Sequence, residues 1–353
     1  MPRNKIAVSA MWQLASQLTM AALSILTVKF VAMGLSKELA GNYNSAYGFL
    51  QLFGILADFG LYAVAVREVS RAENRNEVLG AIIILRCITL VFALGTALLL
   101  VWIIPAWKGT PLPLSVTISS LVPFFTLLAG IIRTVFQVNY KMHFVFIAEV
   151  SQRILTASLI GLFIFFGVRG STDLQHLHLF LFIGGIGAFL LFLISLASGN
   201  RIMEIHPRWD RALLKKLALS AMPFGAAYFL MALYRQFDMT LIALLRPDFE
   251  IQNAYYGFVL RMADMGFLIP TFLLNSTLPI LSERGEKVED TKKLLGKILL
   301  IILIFGSIML LFSMLWPRPL IKLLTTDAYL STPSYYGSDT ALKIINTDSR
   351  GPP

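Results

Sequence analysis

The chain has 353 residues, 57% of them hydrophobic and only 14% charged, with a formal net charge of +10. A soluble domain carries about 25% charged residues, so the composition excludes a soluble globular fold and predicts an all-α, polytopic transmembrane helix bundle. The cations sit between apolar runs, so membrane topology accounts for the positive balance and no nucleic-acid partner is expected. The single cysteine, Cys87, excludes an intrachain disulfide.

In chain order the apolar runs predict nine spans, at 6–33, 39–66, 78–104, 113–138, 146–168, 177–198, 213–245, 253–280 and 294–316. Gly34, Pro105 with Gly109, Gly170, Pro207, Pro247, Gly285 and Pro317 mark the breaks between them. The first run is too long for a secretory signal and lacks a small-residue cleavage site, so it is read as a retained span.

Basic residues alternate with the loops. Arg3, Lys5, Arg67, Arg71 and Arg75 belong to one set of segments, with Arg201, Arg208, Arg211 and the Arg284–Lys297 group. The opposite set holds only Lys37, Lys108, Arg169, Arg246, Arg318 and Lys322. This asymmetry predicts a cytoplasmic N-terminus in a cell inner (plasma) membrane. Every loop is short, so no soluble domain is available for an active site. A phosphate-cradling G-x-x-x-x-G-K-[ST] loop is absent from the sequence. His176-x-His178 on an expected outer loop lacks the company of four metal ligands, so no metal and no cofactor are expected.

The stretch 213–280 is apolar yet carries Arg235, Asp238, Arg261 and Asp264. A charge at the centre of a membrane helix costs about 2.5–3.5 kcal/mol on the insertion scale, so these four are expected to face protein or a wet cavity. Each Arg/Asp pair is spaced i, i+3 and lies on one helix face. Two readings stand side by side. Arg235 with Asp264 and Asp238 with Arg261 form a structural clamp, or the four line a polar cavity that receives a charged solute.

An internal repeat joins the two halves. Ile6-Ala-Val-Ser-Ala-Met11 answers Leu217-Ala-Leu-Ser-Ala-Met222, Tyr47-Gly-Phe-Leu50 answers Tyr256-Gly-Phe-Val259, and Asp58-Phe-Gly60 answers Asp264-Met-Gly266. The unit spans six helices, so the copies are parallel repeats about an axis along the membrane normal. This predicts an N-terminal lobe at 1–200, a partial C-terminal lobe at 201–330 and a polar tail at 331–353. A full second lobe would need about three further spans, so the chain is expected to be a fragment. The alternative is a nine-span protein with a polar tail.

Several of these features resemble one family. They are Gly34 with Gly41-Asn42-Tyr43, Asp58-Phe59-Gly60-Leu61 with Arg67-Glu68 closing the second span, the Leu213–Met222 entry to span seven, and the Pro279 to Ser282 exit of span eight. Over residues 1–330 the chain resembles a polysaccharide or O-antigen flippase, of the oligosaccharide branch of the multidrug/oligosaccharidyl-lipid/polysaccharide exporter superfamily. The resemblance implies two six-helix bundles around a central cavity. It also implies a polyprenyl-pyrophosphate-linked oligosaccharide as substrate, moved between leaflets of the bacterial inner membrane. Lys29, Arg235 and Arg261 are then the candidate substrate-binding cations. Asp58, Asp238 and Asp264 are candidate charge partners or groups that couple an H+ or Na+ ion. Polysaccharide-assembly proteins are candidate partners. One departure is that Val31-Ala32-Met33-Gly34 lacks the arginine the family often has there, and Lys29 is the nearest cation. Arg86, Arg133 and Arg153 are expected to reach toward headgroups. A multidrug/cation antiporter of the same superfamily remains the alternative function, with a membrane sugar polymerase or ligase a third.

Overall fold

A computed structural model describes residues 3–266 and 288–330. Among these, eight helices are long and apolar enough to cross a membrane. The bilayer imposes this, because only an uninterrupted helix satisfies its own backbone where water is missing. The elements are α1 (Arg3–Gly34), α2 (Lys37–Asp58), α3 (Leu61–Arg71), α4 (Arg75–Ile103), α5 (Leu112–Ser119), α6 (Leu121–Val138), α7 (His143–Phe165), α8 (Leu174–Gly199), α9 (Arg211–Leu245), α10 (Phe249–Gly266), α11 (Val288–Leu315) and α12 (Pro317–Leu324).

Two of the expected spans are each built from two helices. The second breaks between α2 and α3, where Phe59 and Gly60 both take positive φ, 40° and 70°. Left-handed backbone at a non-glycine residue is costly and persists only where packing holds it. Here α9 supplies that packing. A methyl group on Gly60 would collide with Phe224, and one on Gly225 would collide with the Phe59 ring. The fourth span bends at Ser120, between α5 and α6. Pro123 begins the next turn and has no N–H to continue the ladder. The Ser119 and Ser120 hydroxyls bond back to the carbonyls of Ser115 and Thr117 at 2.7 Å each.

Side chains start the helices where the loops are short. Ser36, Asn74, Asp173 and Asp210 accept N–H groups of the first turns of α2, α4, α8 and α9. The α1–α2 joint is tied to the α7–α8 joint by backbone bonds, Ser36 N–H to Ser171 O at 2.8 Å and Gly170 N–H to Met33 O at 2.9 Å. His176 and His178 fall in the first two turns of α8 rather than in a loop, and the His176 ring bonds the Ser171 hydroxyl.

The described structure divides into two units, Met1–Val259 and Leu260–Pro353. In the first, one apolar cluster joins α2, α4 and α5 through Phe49, Leu50, Leu90, Leu94 and Val116, with Trp107 of the α4–α5 connection fully buried among them. A second joins α3, α4, α6 and α9 through Val64, Ile82, Val135 and Leu217. A third joins α1, α2, α7 and α8 through Val31, Tyr43, Ile160 and Phe180. Helix α9 is thus fastened to α3 and α4 near its start and to the Trp107 layer near its end, where the indole N–H donates to Ala243 O at 2.7 Å. The second unit contains α11, an apolar helix exposed along most of its length, and α12, joined at Trp316, whose ring lies 5.4 Å from that of Phe312.

The eighth expected span begins as α10, and its continuation past Gly266 lies outside the described residues, as do the Pro279 to Ser282 exit and the polar tail at 331–353.

Candidate functional site

Polar groups gather at three places within the helices of the first unit. One lies where α2 meets α10. Asn44 Nδ2 donates to Asn253 O at 3.2 Å, and Asn253 Nδ2 donates to Ser45 Oγ at 2.8 Å and to Met239 O of α9 at 2.9 Å. Asn42 Nδ2 reaches Glu250 Oε1 at 3.4 Å. Asn42 and Asn253 are fully buried. The helices come so close that a methyl group on Gly41 would overlap the Glu250 carbonyl oxygen, and one on Gly257 would lie 2.6 Å from the Asn44 amide. Gly41 and Glu250 are 209 positions apart, and so are Asn44 and Asn253. That is the offset at which Tyr47-Gly-Phe-Leu50 answers Tyr256-Gly-Phe-Val259. Residues that the repeat makes equivalent therefore touch each other. The α2–α10 contact thus joins residues separated by the repeat offset.

The second place is the end of α2. Arg86 of α4 is only 2% exposed. Its guanidinium donates to the Asp58 carboxylate and, through Nη1, to Ala57 O at 3.2 Å. Thr89 Oγ1 donates to the same carbonyl at 2.9 Å. Arg86 was expected to extend toward headgroups; it turns inward instead. The turn at Phe59-Gly60 ends α2 and leaves the Ala57 carbonyl free to accept, and Asp58 beside it supplies the opposite charge.

The third place lies between one and two turns inside the ends of α6 and α7. Arg133 Nη1 donates to Glu149 Oε1 at 2.9 Å, and Ser16 of α1 donates to the other carboxylate oxygen. The Arg133 guanidinium lies 5.9 Å from the centre of the Tyr62 ring, and the Tyr62 hydroxyl donates to Gln137. Arg133 too was expected among the headgroups, and it is held by a carboxylate on a neighbouring helix.

The charges singled out in α9 and α10 sit differently. Asp238 is exposed and accepts the Tyr256 hydroxyl at 2.6 Å, a bond from α10 to α9. Arg261 and Asp264 are half-buried on the last two turns of α10. Arg235 lies on α9 one turn before Asp238. Lys29 is half-buried on α1 and makes no ion pair among the described residues. The polar contacts at Asn44–Asn253 and at Arg133–Glu149 were not anticipated from the sequence. Asn44 stands beside the Gly41-Asn42-Tyr43 motif, and the repeat offset was the signal that could have found its partner.

Outside the membrane-spanning segments, Arg246 bonds Asp248 through Nε at 2.9 Å and Nη2 at 3.2 Å. This hydrogen bonding, helped by Gln252, holds the Asp248 carboxyl below its usual range against a smaller opposing effect of burial.

The chain's fold has solved relatives. The MATE multidrug transporter DinF-BH, solved in complex with a ligand, superposes with a TM-score of 0.61 at 15% identity, over 95% of this chain and 78% of that one. A second solved structure, named "protein A", gives 0.62 at 16% identity with the same coverage. No curated protein matches the sequence. A family model described as polysaccharide biosynthesis protein matches residues 6–284, well over half of the chain. The helical bundle therefore shares its fold with these solved structures, and the chain belongs to the polysaccharide biosynthesis protein family.

Proposed function

We propose that this chain flips a polyprenyl-pyrophosphate-linked oligosaccharide from the cytoplasmic to the outer leaflet of the bacterial inner membrane, for surface polysaccharide synthesis. The family match over residues 6–284 carries this reading. The reading takes the N-terminus as cytoplasmic, which the asymmetry of the basic loops supports. In that orientation the Asn44–Asn253 contact lies toward the outer face, and in this reading it opens and closes during alternating access between repeats. The reading keeps an N-terminal lobe at 1–200 and assigns residues 201–330 to a second lobe. The chain acts as a transporter without catalysing a covalent step.

The pyrophosphate is an anion and needs cations inside the bilayer. Lys29, Arg235 and Arg261 are the residues we assign to it, the arginines by bidentate bonding. Asp58, Asp238 and Asp264 serve as charge partners or couple transport to H+ or Na+. The lipid bilayer and polysaccharide-assembly proteins are the partners. A second reading, export of a hydrophobic cation, draws on the likeness to DinF-BH, a multidrug transporter.

The test is polysaccharide export per folded molecule in cells relying on this protein, with efflux of a cationic dye measured in parallel. Replacing Arg235 or Arg261 with Ala should abolish export while leaving abundance near normal, and Arg→Lys should rescue in part because a point charge loses the fork. Dye efflux without any effect on polysaccharide export would select the second reading. Export restored by removing Arg235 together with Asp264, or Arg261 together with Asp238, would reduce these charges to a clamp.

A further inference from the structure

The Arg133 cluster is unused by the mechanism above, and its chemistry points to a ligand. Its charges cancel. Arg133 and Glu149 form one ion pair, so the cluster presents no net field to attract a pyrophosphate, and Glu149 would repel one. What remains is hydrogen-bonding capacity without net charge. Glu149 and Gln137 offer acceptors, Tyr62 and Ser16 carry hydroxyls, and Gln137 has two amide donors. The Arg133 Nε is buried with no partner. The Arg133 and Glu149 side chains are nevertheless 32% and 19% exposed. Charges so far inside a bundle are tolerated where they face protein or a water-filled cavity. An aromatic face completes the set. Trp12 lies one turn before Ser16 on α1, is 39% exposed, and packs against Phe146 of α7 at 5.3 Å between ring centres. Phe146 in turn lies one turn before Glu149. A flat apolar ring beside paired donors and acceptors matches a pyranose, which has an apolar C–H face and a rim of hydroxyls.

We infer that Trp12, Tyr62, Arg133, Gln137 and Glu149 form a subsite for a neutral sugar unit of the lipid-linked glycan. It rests on the flippase reading and deepens it. Four helices, α1, α3, α6 and α7, supply these groups from within one unit. With the N-terminus cytoplasmic, the subsite lies in the inner leaflet half of the bundle, where a glycan entering from the cytoplasm arrives first.

The experiment compares two probes on the purified full chain in lipid nanodiscs: a polyprenyl pyrophosphate carrying one N-acetylhexosamine, and the same lipid without sugar. Binding of each is measured by calorimetry, with thermal unfolding as a check on folding. The wild type should bind the sugar-bearing lipid about tenfold more tightly, the effect of one or two buried hydrogen bonds. Trp12→Leu and Gln137→Ala should remove that preference and leave the sugar-free lipid bound as before. Tyr62→Phe, which keeps the ring and removes the hydroxyl, should at least halve the preference with unfolding unchanged. Equal wild-type affinity for both lipids overturns the subsite and leaves the flippase reading standing. Sugar preference retained in both Trp12→Leu and Gln137→Ala overturns it too. Binding of neither lipid, with a cationic dye bound instead, overturns the flippase reading itself and the subsite with it.

Discussion

The bundle treats its intramembrane charges in two ways. On α4 and α6 two arginines are answered by carboxylates on other helices: Arg86 by Asp58, and Arg133 by Glu149. On α9 the acid Asp238 is exposed and accepts its hydrogen bond from a neutral tyrosine, Tyr256. The first arrangement is charge-neutral, and removing one member leaves the other without its ion-pair partner. The second leaves charge accessible to whatever occupies the adjoining space. Both begin as a charge in an apolar run, and helical spacing alone does not distinguish them. What separates them is the register of neighbouring helices.

The sharpest way to break the contrast is Arg86→Met. It leaves Asp58, whose side chain is 28% exposed, without its partner, and breaking a fully buried pair costs about 3–5 kcal/mol, the upper bound here. Folded yield and thermal unfolding in detergent should both fall steeply. The double replacement Arg86→Met with Asp58→Leu should recover most of the loss, because a buried pair replaced by apolar groups is often close to neutral. A single variant as stable as wild type would show that Arg86 is not locked in a dry pair.

The spans were legible because the bilayer leaves the backbone no alternative to helix, and apolar length marks each crossing. Predicted and observed ends agree within a few residues, as at 146–168 against His143–Phe165. The breaks inside spans were not legible. Nothing about Phe59 announces a positive φ, since Phe224 and Gly225 on a distant helix enforce it. Partners were equally hidden. Asp58 and Arg86 are 28 positions apart, and only the packing of α2 on α4 brings them together. The cross-helix pairs expected from the sequence join α9 to α10, whereas the ion pairs described at Arg86 and Arg133 join α4 to α2 and α6 to α7. The offset of 209 between Tyr47-Gly-Phe-Leu50 and Tyr256-Gly-Phe-Val259 also separates Asn44 from Asn253, which are in contact.

The next largest effect concerns the close approach of α2 and α10. Gly41→Ala places a methyl against the Glu250 carbonyl, an overpacking that costs about 1–3 kcal/mol. The strain falls only on the conformation with α2 and α10 in contact, so the population should shift away from it. With Cys87 replaced by Ala, cysteines at positions 44 and 253 should cross-link efficiently, and adding Gly41→Ala should lower the yield. An unchanged yield would mean that the close approach is not maintained in the membrane.

Tyr256→Phe probes the accessible side of the contrast. It removes the hydroxyl that Asp238 accepts and keeps the ring. A typical net hydrogen bond contributes about 0.5–1.5 kcal/mol, and exposure of Asp238 puts this one at the low end or below. Thermal unfolding should therefore move far less than for Arg86→Met. A comparable loss would place Asp238 in the same class as the buried pairs.

The smallest effect belongs to Arg246 and Asp248, a pair in the α9–α10 connection with side chains 42% and 40% exposed. Its hydrogen bonds to Arg246 lower the Asp248 pKa in the folded chain. A carboxyl whose folded pKa lies below its unfolded value contributes stability that is present above the unfolded value. The contribution is lost as pH falls through the folded value. Exposed pairs contribute about 0–1 kcal/mol, and salt screens them further. Wild type and Asp248→Asn should therefore differ slightly in unfolding temperature at neutral pH and low salt. The gap should close on acidification through the carboxylate range and narrow in high salt. The same scans on Arg86→Met should show no such salt dependence, because a buried charge is screened much less. A large, salt-insensitive effect at Asp248 would show that the α9–α10 connection is enclosed, and would move this pair to the interior side of the comparison.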